Sequence, residues 1–325
     1  MNPILKKYLK IILPILLGVF LIGYSLSKVP LSELLDYFKN ANYFYIGLGM
    51  FFGFLSHLSR SYRWLFQLEP MGYKVKFGNS FMAVFSAYLI NYTIPRAGEV
   101  ARASILTTYE GVPFEKGLGT IVAERVADVI MLLTIIGIAL ILQFDFISSF
   151  FLERFNPKTL LIYLLFAIVF LVVFIVYIRK SKAGFGLKIK NFIKGLAEGA
   201  LSIFKMKKKW AFLFHTVFIW VMYVLMFYTT SFSVDALNGL TLGAILIGFI
   251  SATFSIAATN GGIGSYPIAI YAAFSIFSIA EAPSIAFGWI IWTSQTLLII
   301  LFGGLSLLYL PIFNRNNDSH QTDSN

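Results

Sequence analysis

The sequence predicts an all-α integral membrane protein, a polytopic bundle of helices embedded in lipid. Hydrophobic residues make up 58% of the 325 residues and charged residues only 13%, about half the charge density that is usual in soluble proteins. Long apolar runs also alternate with short charged loops, which is typical of membrane spans. We therefore expect no separate soluble catalytic domain.

The candidate spans follow from the apolar runs, because about 20 apolar residues are needed to cross the hydrocarbon core. Most runs are long enough to cross, and two are interrupted by residues that break helices. The predicted segments are Ile11–Ser27, Tyr43–Ser59, Phe77–Ile94 followed by Arg96–Tyr109, Leu118–Leu142, Leu160–Ile178, Trp210–Phe232, Leu240–Ala258, Ile263–Ile279 and Ile285–Leu310.

The charge distribution predicts how these segments are oriented. The formal net charge is +11, and the Arg179–Lys209 loop is strongly basic with Glu198 as its one acid. Basic loops of this kind lie in the cytoplasm. They carry no zinc-finger or RNA-binding motif, so we expect no nucleic-acid partner. The chain contains no cysteine, which excludes disulfides and thiolate metal sites, and we expect neither a metal nor another cofactor.

Counting spans from that loop predicts two hairpins that enter and leave the membrane on the same side. If Phe77–Tyr109 is such a re-entrant hairpin, every other basic cluster also faces the cytoplasm, as the positive-inside rule requires. Counting forwards, Leu240–Ile279 becomes a second hairpin that opens on the outside. Each half then consists of a span, a broken hairpin and a span in opposite orientations, which is an inverted repeat with both termini in the cytoplasm.

The predicted domain organisation follows from this pattern. We expect a single polytopic membrane domain over residues 1–313, with halves at about 40–143 and 210–310. The polar tail over 314–325 is expected to be a disordered cytoplasmic segment.

The first helix break is predicted at Pro95, with Gly98 beside it. Proline removes a backbone donor and biases the preceding residue away from helix. Unpaired backbone at membrane depth is tolerated only inside protein or along a wet cavity. A helix that restarts after the break would direct its N-terminal amides at that cavity. Arg96, Glu99 and Arg102 recur at every third residue and therefore share a helix face.

The second break is predicted at a glycine-rich turn containing Gly261, Gly262 and Gly264. Glycines permit a tight turn and the close approach of another group. One interpretation is a plain loop between two crossing helices. The apolar flanks and the matching place in the second half favour a re-entrant turn instead.

Charged residues within the apolar runs are the candidate site, because ionisable groups in the membrane are costly and usually face a partner or a water-filled cavity. One interpretation is a self-neutralised network that pins the first hairpin to the following span. The other is a direct role in transport, and both hold if substrate competes for the arginines. The candidate substrate-binding residues are Asn91, Arg96, Glu99, Arg102, Glu124, Arg125, Asp128 and Asn260.

A further basic face lies near the end of the second predicted span. His57, Arg60 and Arg63 are three residues apart and share a face. We interpret these arginines as snorkelling to the membrane surface, and the many aromatic residues as mostly facing lipid or the interfacial belts.

Three of these stretches together resemble a known family. Arg60–Trp64, Asn91–Arg102 and Glu124–Asp128 are similar to the flippase-like transmembrane region of lysylphosphatidylglycerol synthases, in the standalone form that lacks the synthase domain. Asn260–Gly264 resembles the family's glycine-rich second signature. The chain departs from that signature, because Ser265 follows the glycines where many members have an acid and no proline precedes them.

The resemblance extends over about Tyr8–Leu310 and implies a lipid translocase. It implies a prokaryotic cell (inner) membrane, membrane lipids as partners, and an anionic or aminoacylated phospholipid as substrate. Whether the protein forms a homo-oligomer is left open.

Other functions remain open. A secondary transporter of a small polar solute or ion suits the inverted repeat equally well, and a scaffold with purely structural charges is a further alternative. An enzyme acting on lipid is less supported, since the chain has no His-Glu-x-x-His motif and only Glu124 and Asp128 form an acid–base pair. We expect a transporter without catalytic residues.

Overall fold

A computed structural model describes residues 3–94, 97–146, 148–149, 156–181, 183–184, 186–187, 189–190 and 206–315, with side chains from residue 16 onward except at 157, 160, 164, 167 and 171. Over these ranges the protein is helical and contains no β-strand, which confirms the predicted all-helical class. The helices are α1 (Pro3–Lys28), α2 (Leu31–Asn40), α3 (Tyr43–Leu68), α4 (Phe77–Thr93), α5 (Ala97–Glu110), α6 (Phe114–Leu142), α7 (Pro157–Lys180), α8 (Lys209–Ser231), α9 (Leu242–Ala258), α10 (Ser265–Ser275) and α11 (Glu281–Phe313).

Four of the described helices are long and apolar enough to cross a membrane, namely α6, α8, α11 and the Leu161–Lys180 part of α7. Among the side chains that are described, almost all of the apolar ones on α7 are exposed, as expected of a helix that faces lipid. Asn156 caps its N-terminus by accepting a hydrogen bond from the Lys158 amide at 2.9 Å.

The chain divides into two compact units. The larger comprises Met1–Ile121 together with Trp210–Asn325, and the smaller comprises Val122–Lys209. Helix α6 begins in the larger unit and continues in the smaller one. The two interrupted segments identified in the sequence both belong to the larger unit.

The first interrupted segment forms an antiparallel pair of short helices, α4 and α5. At the open end of the pair, the Lys76 amide and the Asn79 side chain donate hydrogen bonds to Glu110 Oε1 at 3.0 and 2.6 Å. At the closed end, the Gly98 amide donates to Asn91 Oδ1 at 2.8 Å. Helix α5 therefore returns to the level at which α4 began.

The turn of this first pair requires a glycine. A Cβ atom on Gly98 would meet the Ala87 carbonyl oxygen of α4, so only glycine allows the two helices to approach this closely. Pro95, the other predicted break residue, lies outside the described residues.

The second interrupted segment forms another antiparallel pair, α9 and α10. The Ser251 hydroxyl of α9 donates to the Ala269 carbonyl of α10 at 2.7 Å. The turn between them has φ angles of +62° at Gly261, +79° at Gly262 and +69° at Gly264. Side chains with a Cβ rarely adopt this left-handed region, so the glycine-rich run is a backbone requirement of the turn.

Helix α4 packs antiparallel along the C-terminal half of α11. Its first turn is fixed by a reciprocal pair of side-chain amide hydrogen bonds, 2.8 and 2.7 Å long, between Asn79 and Asn314. Asn314, the first residue of the predicted tail, is thus buried, whereas residues 316–325 lie outside the described ones. Three further contacts join the two helices. Gly78 lies against Phe313, Phe85 and Leu89 lie against Gly303, and Tyr92 lies against Thr296.

Helix α10 packs along the N-terminal half of the same helix. Gly288 of α11 lies directly against the Pro267 backbone. The rings of Phe274 and Phe287 are parallel to within 6°, with centroids 6.1 Å apart. The α9–α10 pair thus occupies the half of α11 that the α4–α5 pair leaves uncovered.

The two turns meet near the middle of this 33-residue helix. Trp292 donates its indole N–H to the Gly261 carbonyl at 2.8 Å, and Thr296 donates to the Tyr92 hydroxyl at 3.2 Å. A Cβ atom on Gly261 would lie 2.7 Å from the Tyr92 ring, so the tips of the two pairs are in direct contact. Tyr92 and Trp292 therefore contact protein at this position.

The N-terminal helix supports the second turn. Gly264 lies against the backbone of Leu21 and Ile22, well inside α1. At the end of α1, Lys28 forms a 3.5 Å ion pair with Glu281, the first residue of α11. The polar segment expected after α1 is the short helix α2, which buries Leu34 against the start of α11.

Adjacent glycines on α11 test the packing of α4 against it. Gly303 faces the backbone of Phe85 and the side chain of Leu89, while no described atom lies within 4 Å of the Cβ position of Gly304. We expect Gly303→Ala to lower the free energy of unfolding by about 1–3 kcal/mol through overpacking. The matched control Gly304→Ala should be neutral or stabilising by up to about 1 kcal/mol, because alanine favours helix. Thermal unfolding in detergent measures both, and equal effects of the two substitutions would contradict the described packing.

Candidate functional site

A polar face of α3 is buried inside the larger unit. Arg60 is 2% exposed, Arg63 0% and His57 5%. The interpretation that these arginines snorkel to the membrane surface is wrong. Helix α3 continues to Leu68, beyond the predicted end at Ser59, and carries the arginines into the helical core. Guanidinium groups buried in this way are costly unless the surrounding protein stabilises them.

Helix α8 supplies the contacts that hold Arg63. The Arg63 Nη1 group donates to the Thr216 hydroxyl at 2.9 Å. The guanidinium carbon also lies 5.2 Å from the centre of the Phe212 ring, which is one helical turn before Thr216. A hydroxyl acceptor and an aromatic face thus stabilise one buried cation.

Helix α5 brings a further arginine into this core. Arg102 is 2% exposed, and its guanidinium carbon lies 3.7 Å from the centre of the Trp64 ring, a stacked cation–π arrangement. Trp64 is itself fully buried and donates its indole N–H to the Thr120 hydroxyl at 2.7 Å. The orientation of Arg102 is therefore set by a ring that is fixed by its own hydrogen bond.

The remaining predicted residues of the first break have different environments. Asn91 uses its side-chain oxygen to bind the Gly98 amide, so it stabilises the start of α5. Glu99 is half-buried on the first turn of that helix, where a carboxylate interacts favourably with the helix dipole. Arg96 lies outside the described residues.

The predicted charges of α6 belong to the smaller unit. Glu124 is fully buried and Asp128 is 8% exposed. Arg125 Nη1 lies 3.5 Å from Asp128 Oδ2, and the Arg125 side chain is 46% exposed. The structure thus brings Arg125 and Asp128 together as an ion pair within one helix.

The second break has hydroxyl groups where the first has charges. Asn260 is half-buried, and its carbonyl accepts from the Ile263 amide at 3.3 Å. Beside it, the Ser265 hydroxyl lies 2.6 Å from that of Ser255 and 2.9 Å from that of Thr259. Ser265 follows the glycines, where the resemblance suggests an acid. The buried arginines Arg60, Arg63 and Arg102 therefore all lie on α3 and α5 of the larger unit.

Sequence reasoning missed the residues that hold the arginines. Trp64, Thr120 and Thr216 carry no signal of their own, since tryptophan and threonine are common in membrane helices. The shared face of His57, Arg60 and Arg63 was visible, and its continuation through small polar residues such as Ser56 and Ser59 was the cue to burial. No cluster of three His, Cys, Asp or Glu residues within the described ranges is placed to hold a metal ion.

Comparison with known proteins identifies the family. The model of the lysylphosphatidylglycerol synthase TM region matches residues 11–304 of this chain. The chain belongs to this family. The lysylphosphatidylglycerol synthase TM region match confirms the resemblance drawn from the sequence motifs, and with the apolar helices it makes this chain a multi-pass membrane protein. The chain is also similar to the UPF0104 membrane protein MJ1595 of Methanocaldococcus jannaschii, at 24% identity over 80% of this chain and 82% of that protein.

Removing the Thr120 hydroxyl tests the hydrogen bond that holds Trp64, the ring on which Arg102 stacks. Thr120→Val keeps the shape of the side chain but leaves the buried Trp64 N–H without its acceptor. We expect a loss of about 1–3 kcal/mol in the free energy of unfolding.

The matched control is Thr134→Val on the same helix. Thr134 is exposed and its hydroxyl donates within its own helix, to the Ile130 carbonyl, so we expect an effect below about 0.5 kcal/mol. Thermal unfolding combined with tryptophan fluorescence measures both variants. An unchanged melting temperature in Thr120→Val would contradict the assigned hydrogen bond.

Proposed function

We propose that this protein translocates a phospholipid, or a lipid-linked headgroup, between the leaflets of a prokaryotic cell membrane. The observation that carries the proposal is the set of three arginines, Arg60, Arg63 and Arg102, buried within a unit made of membrane helices. Arginine suits phosphate because its planar guanidinium forms bidentate, charge-assisted hydrogen bonds. Phosphate is the group that phospholipid headgroups share.

We infer that the two short helix pairs are re-entrant hairpins that dip into the bilayer from opposite sides. Helix α11 is long enough to cross the membrane, and each pair packs along only one half of it. Both turns lie beside its middle, at Trp292 and Thr296. This arrangement supports the inverted repeat, and it satisfies the rule that irregular backbone at membrane depth must be covered by protein.

The distribution of charge supports the orientation in this proposal. The Lys28–Glu281 ion pair and helix α2 lie at the start of α11, and the Asn79–Asn314 pair lies at its end. With the basic Arg179–Lys209 loop in the cytoplasm, the start of α11 faces outward and its end faces inward. Both termini are then cytoplasmic, and the α4–α5 pair opens toward the cytoplasm.

The proposed headgroup site combines a positive and a negative part. Arg102, stacked on Trp64, presents a fixed guanidinium to a phosphate. Glu99 on the same helix would orient the arginines or bind a cationic substituent. The family name refers to a synthase of lysylphosphatidylglycerol, so an aminoacylated phospholipid is one substrate that would use both parts. In this proposal the chain is a transporter without catalytic residues, and the hairpins separate the headgroup from the lipid tails.

Leaflet exchange in reconstituted vesicles tests the proposal. Liposomes carrying the purified chain and a trace of fluorescent phosphatidylglycerol are treated with dithionite, which bleaches only the outer leaflet. We expect bleaching beyond the outer-leaflet fraction, at a rate well above that of empty liposomes. Exchange no faster than in empty liposomes for any native lipid class would contradict the proposal, and uptake of a small solute under the same conditions would favour the secondary transporter.

Substitution of Arg102 separates headgroup binding from scaffolding. Arg102→Gln removes the charge, and Arg102→Lys keeps it but loses the planar bidentate geometry. We expect Arg102→Gln to slow exchange about tenfold or more, as loss of a charge-assisted hydrogen bond predicts, with Arg102→Lys intermediate.

The matched control for this series is Arg315→Gln, which removes an exposed arginine and should leave the rate unchanged. Melting temperatures identify variants that merely fold poorly. Full exchange by a stable Arg102→Gln protein would exclude Arg102 from the transport site.

A further inference from the structure

A serine–histidine contact joins α3 to α8 beside the buried arginines. The Ser59 hydroxyl and the Nδ1 atom of His215 are 2.8 Å apart. His215 directly precedes Thr216, which binds Arg63, and Arg63 acts electrostatically on the histidine ring. Ser59 is 5% exposed, whereas His215 is half-buried. The contact therefore extends from the helical core to the protein surface.

The hydrogen-bond pattern determines which nitrogen of His215 carries the proton. Ser59 is buried, and its hydroxyl forms no other hydrogen bond within the part of the chain that the structure describes. A buried hydroxyl proton needs an acceptor, and Nδ1 accepts only when the neutral ring is protonated at Nε2. The arrangement that satisfies both groups has Ser59 donating to Nδ1. The Nε2–H group of His215 is then a donor that points away from Ser59.

This donor is accessible to a ligand. Within the described ranges, Nε2 of His215 forms no hydrogen bond, yet it is not one of the enclosed nitrogen atoms, as Nδ1 of His57 is. The His215 ring lies between Tyr62 and Phe214, whose ring centroids are 5.2 and 5.4 Å away. Tyr62 is 46% exposed and Phe214 63%, as expected of aromatic side chains that face lipid. The donor therefore opens at a lipid-facing surface.

The depth of His215 in the membrane suits the phosphate of a lipid. Helix α8 begins at Lys209, at the end of the basic loop that the proposed orientation places in the cytoplasm. Six residues further along, a helix has advanced about 9 Å. The headgroup region is about 5–8 Å thick on each side of the hydrocarbon core. His215 therefore lies near the boundary at which lipid phosphates meet the acyl chains.

We propose that His215 is the entry contact for the phosphate of a lipid that approaches from the cytoplasmic leaflet. Its Nε2–H group donates to a phosphate oxygen, and the buried guanidinium of Arg63 behind it attracts the same anion. Tyr62 and Phe214 provide the apolar surface for the acyl chains. This role rests on the proposed function and deepens it, because it names the side chain at which the lipid leaves the bilayer.

Two substitutions of His215 separate the roles of its nitrogens. Asparagine places an amide near the Nδ1 position and keeps the contact with Ser59, whereas glutamine reaches the Nε2 position and keeps the outward donor. We expect His215→Asn to lower the retention of phosphatidylglycerol about tenfold, through loss of one hydrogen bond to a charged group. His215→Gln should retain most of the lipid.

Native mass spectrometry measures this retention on the full-length chain, taken from vesicles of equimolar phosphatidylglycerol and digalactosyldiacylglycerol, a lipid without phosphate. His320→Asn, in the tail outside the described residues, is the matched control and should bind like the unmodified chain. Melting temperatures identify variants that merely fold poorly. Unchanged retention in a stable His215→Asn protein would overturn the proposal.

Chemical labelling tests the same contact without any substitution. Diethyl pyrocarbonate acylates accessible histidine nitrogens, and peptide mass spectrometry reads each histidine separately. We expect His215 to react and the enclosed His57 to remain unmodified. Labelling of His215 should be several-fold slower in vesicles of phosphatidylglycerol than in vesicles of digalactosyldiacylglycerol. Equal rates in the two lipids would contradict a phosphate contact at His215.

A free phosphate has the same chemistry as the headgroup, so a soluble arm uses saturation-transfer difference NMR with glycerol 3-phosphate. A signal that His215→Asn abolishes, without any preference for phosphatidylglycerol, would overturn the assignment to lipid. Binding and transport also fail separately. Retention through His215 without leaflet exchange would contradict the proposed function alone, and exchange by a protein whose retention is independent of His215 would contradict the entry contact alone.

Discussion

The contact of the two helix turns beside the middle of α11 is the feature on which the rest of the structure depends. A helix that stops leaves backbone groups unpaired, and hydrocarbon offers them no partner. Here the protein provides the cover: Trp292 binds the Gly261 carbonyl, and the Tyr92 ring lies against the same glycine. Glycine is needed at Gly98 and Gly261 because neither position leaves room for a Cβ atom. At Tyr92 and Gly261 the two pairs contact each other and α11.

This arrangement also explains how buried arginines are accommodated. Helix α5 is polar on the side that carries Arg102, and it packs against α4 and the core around Trp64 instead of against lipid. Aromatic rings and threonine hydroxyls then stabilise the guanidinium groups of Arg63 and Arg102. The second turn lacks such charges and uses serine and threonine hydroxyls. The two short helix pairs thus differ in chemistry, and the headgroup-binding proposal rests on the first pair.

The sequence predicted the structure correctly where a residue pattern is compatible with one structure only. Apolar length predicted the helices, the glycine run predicted a turn that only glycine permits, and the paired motifs predicted the family. It was misleading for Arg60 and Arg63, because an arginine near the end of an apolar run has the same local pattern whether it snorkels or is buried. The contacts of Trp64 with Thr120 and of Tyr92 with Gly261 join segments 56 and 169 residues apart in the chain, so no local pattern could reveal them.

The separation of the two turns tests the central claim most directly. Because the chain has no native cysteine, spin labels can be placed at two sites alone, with Thr93→Cys and Asn260→Cys in one protein in lipid nanodiscs. Pulsed electron spin resonance then measures the distance between them. Turns that meet within the membrane predict a distribution centred below about 20 Å, allowing for the length of the labels. If both segments instead crossed the bilayer completely, the turns would lie on opposite surfaces, and a separation of about 30 Å or more, the thickness of the hydrocarbon core, would contradict this account.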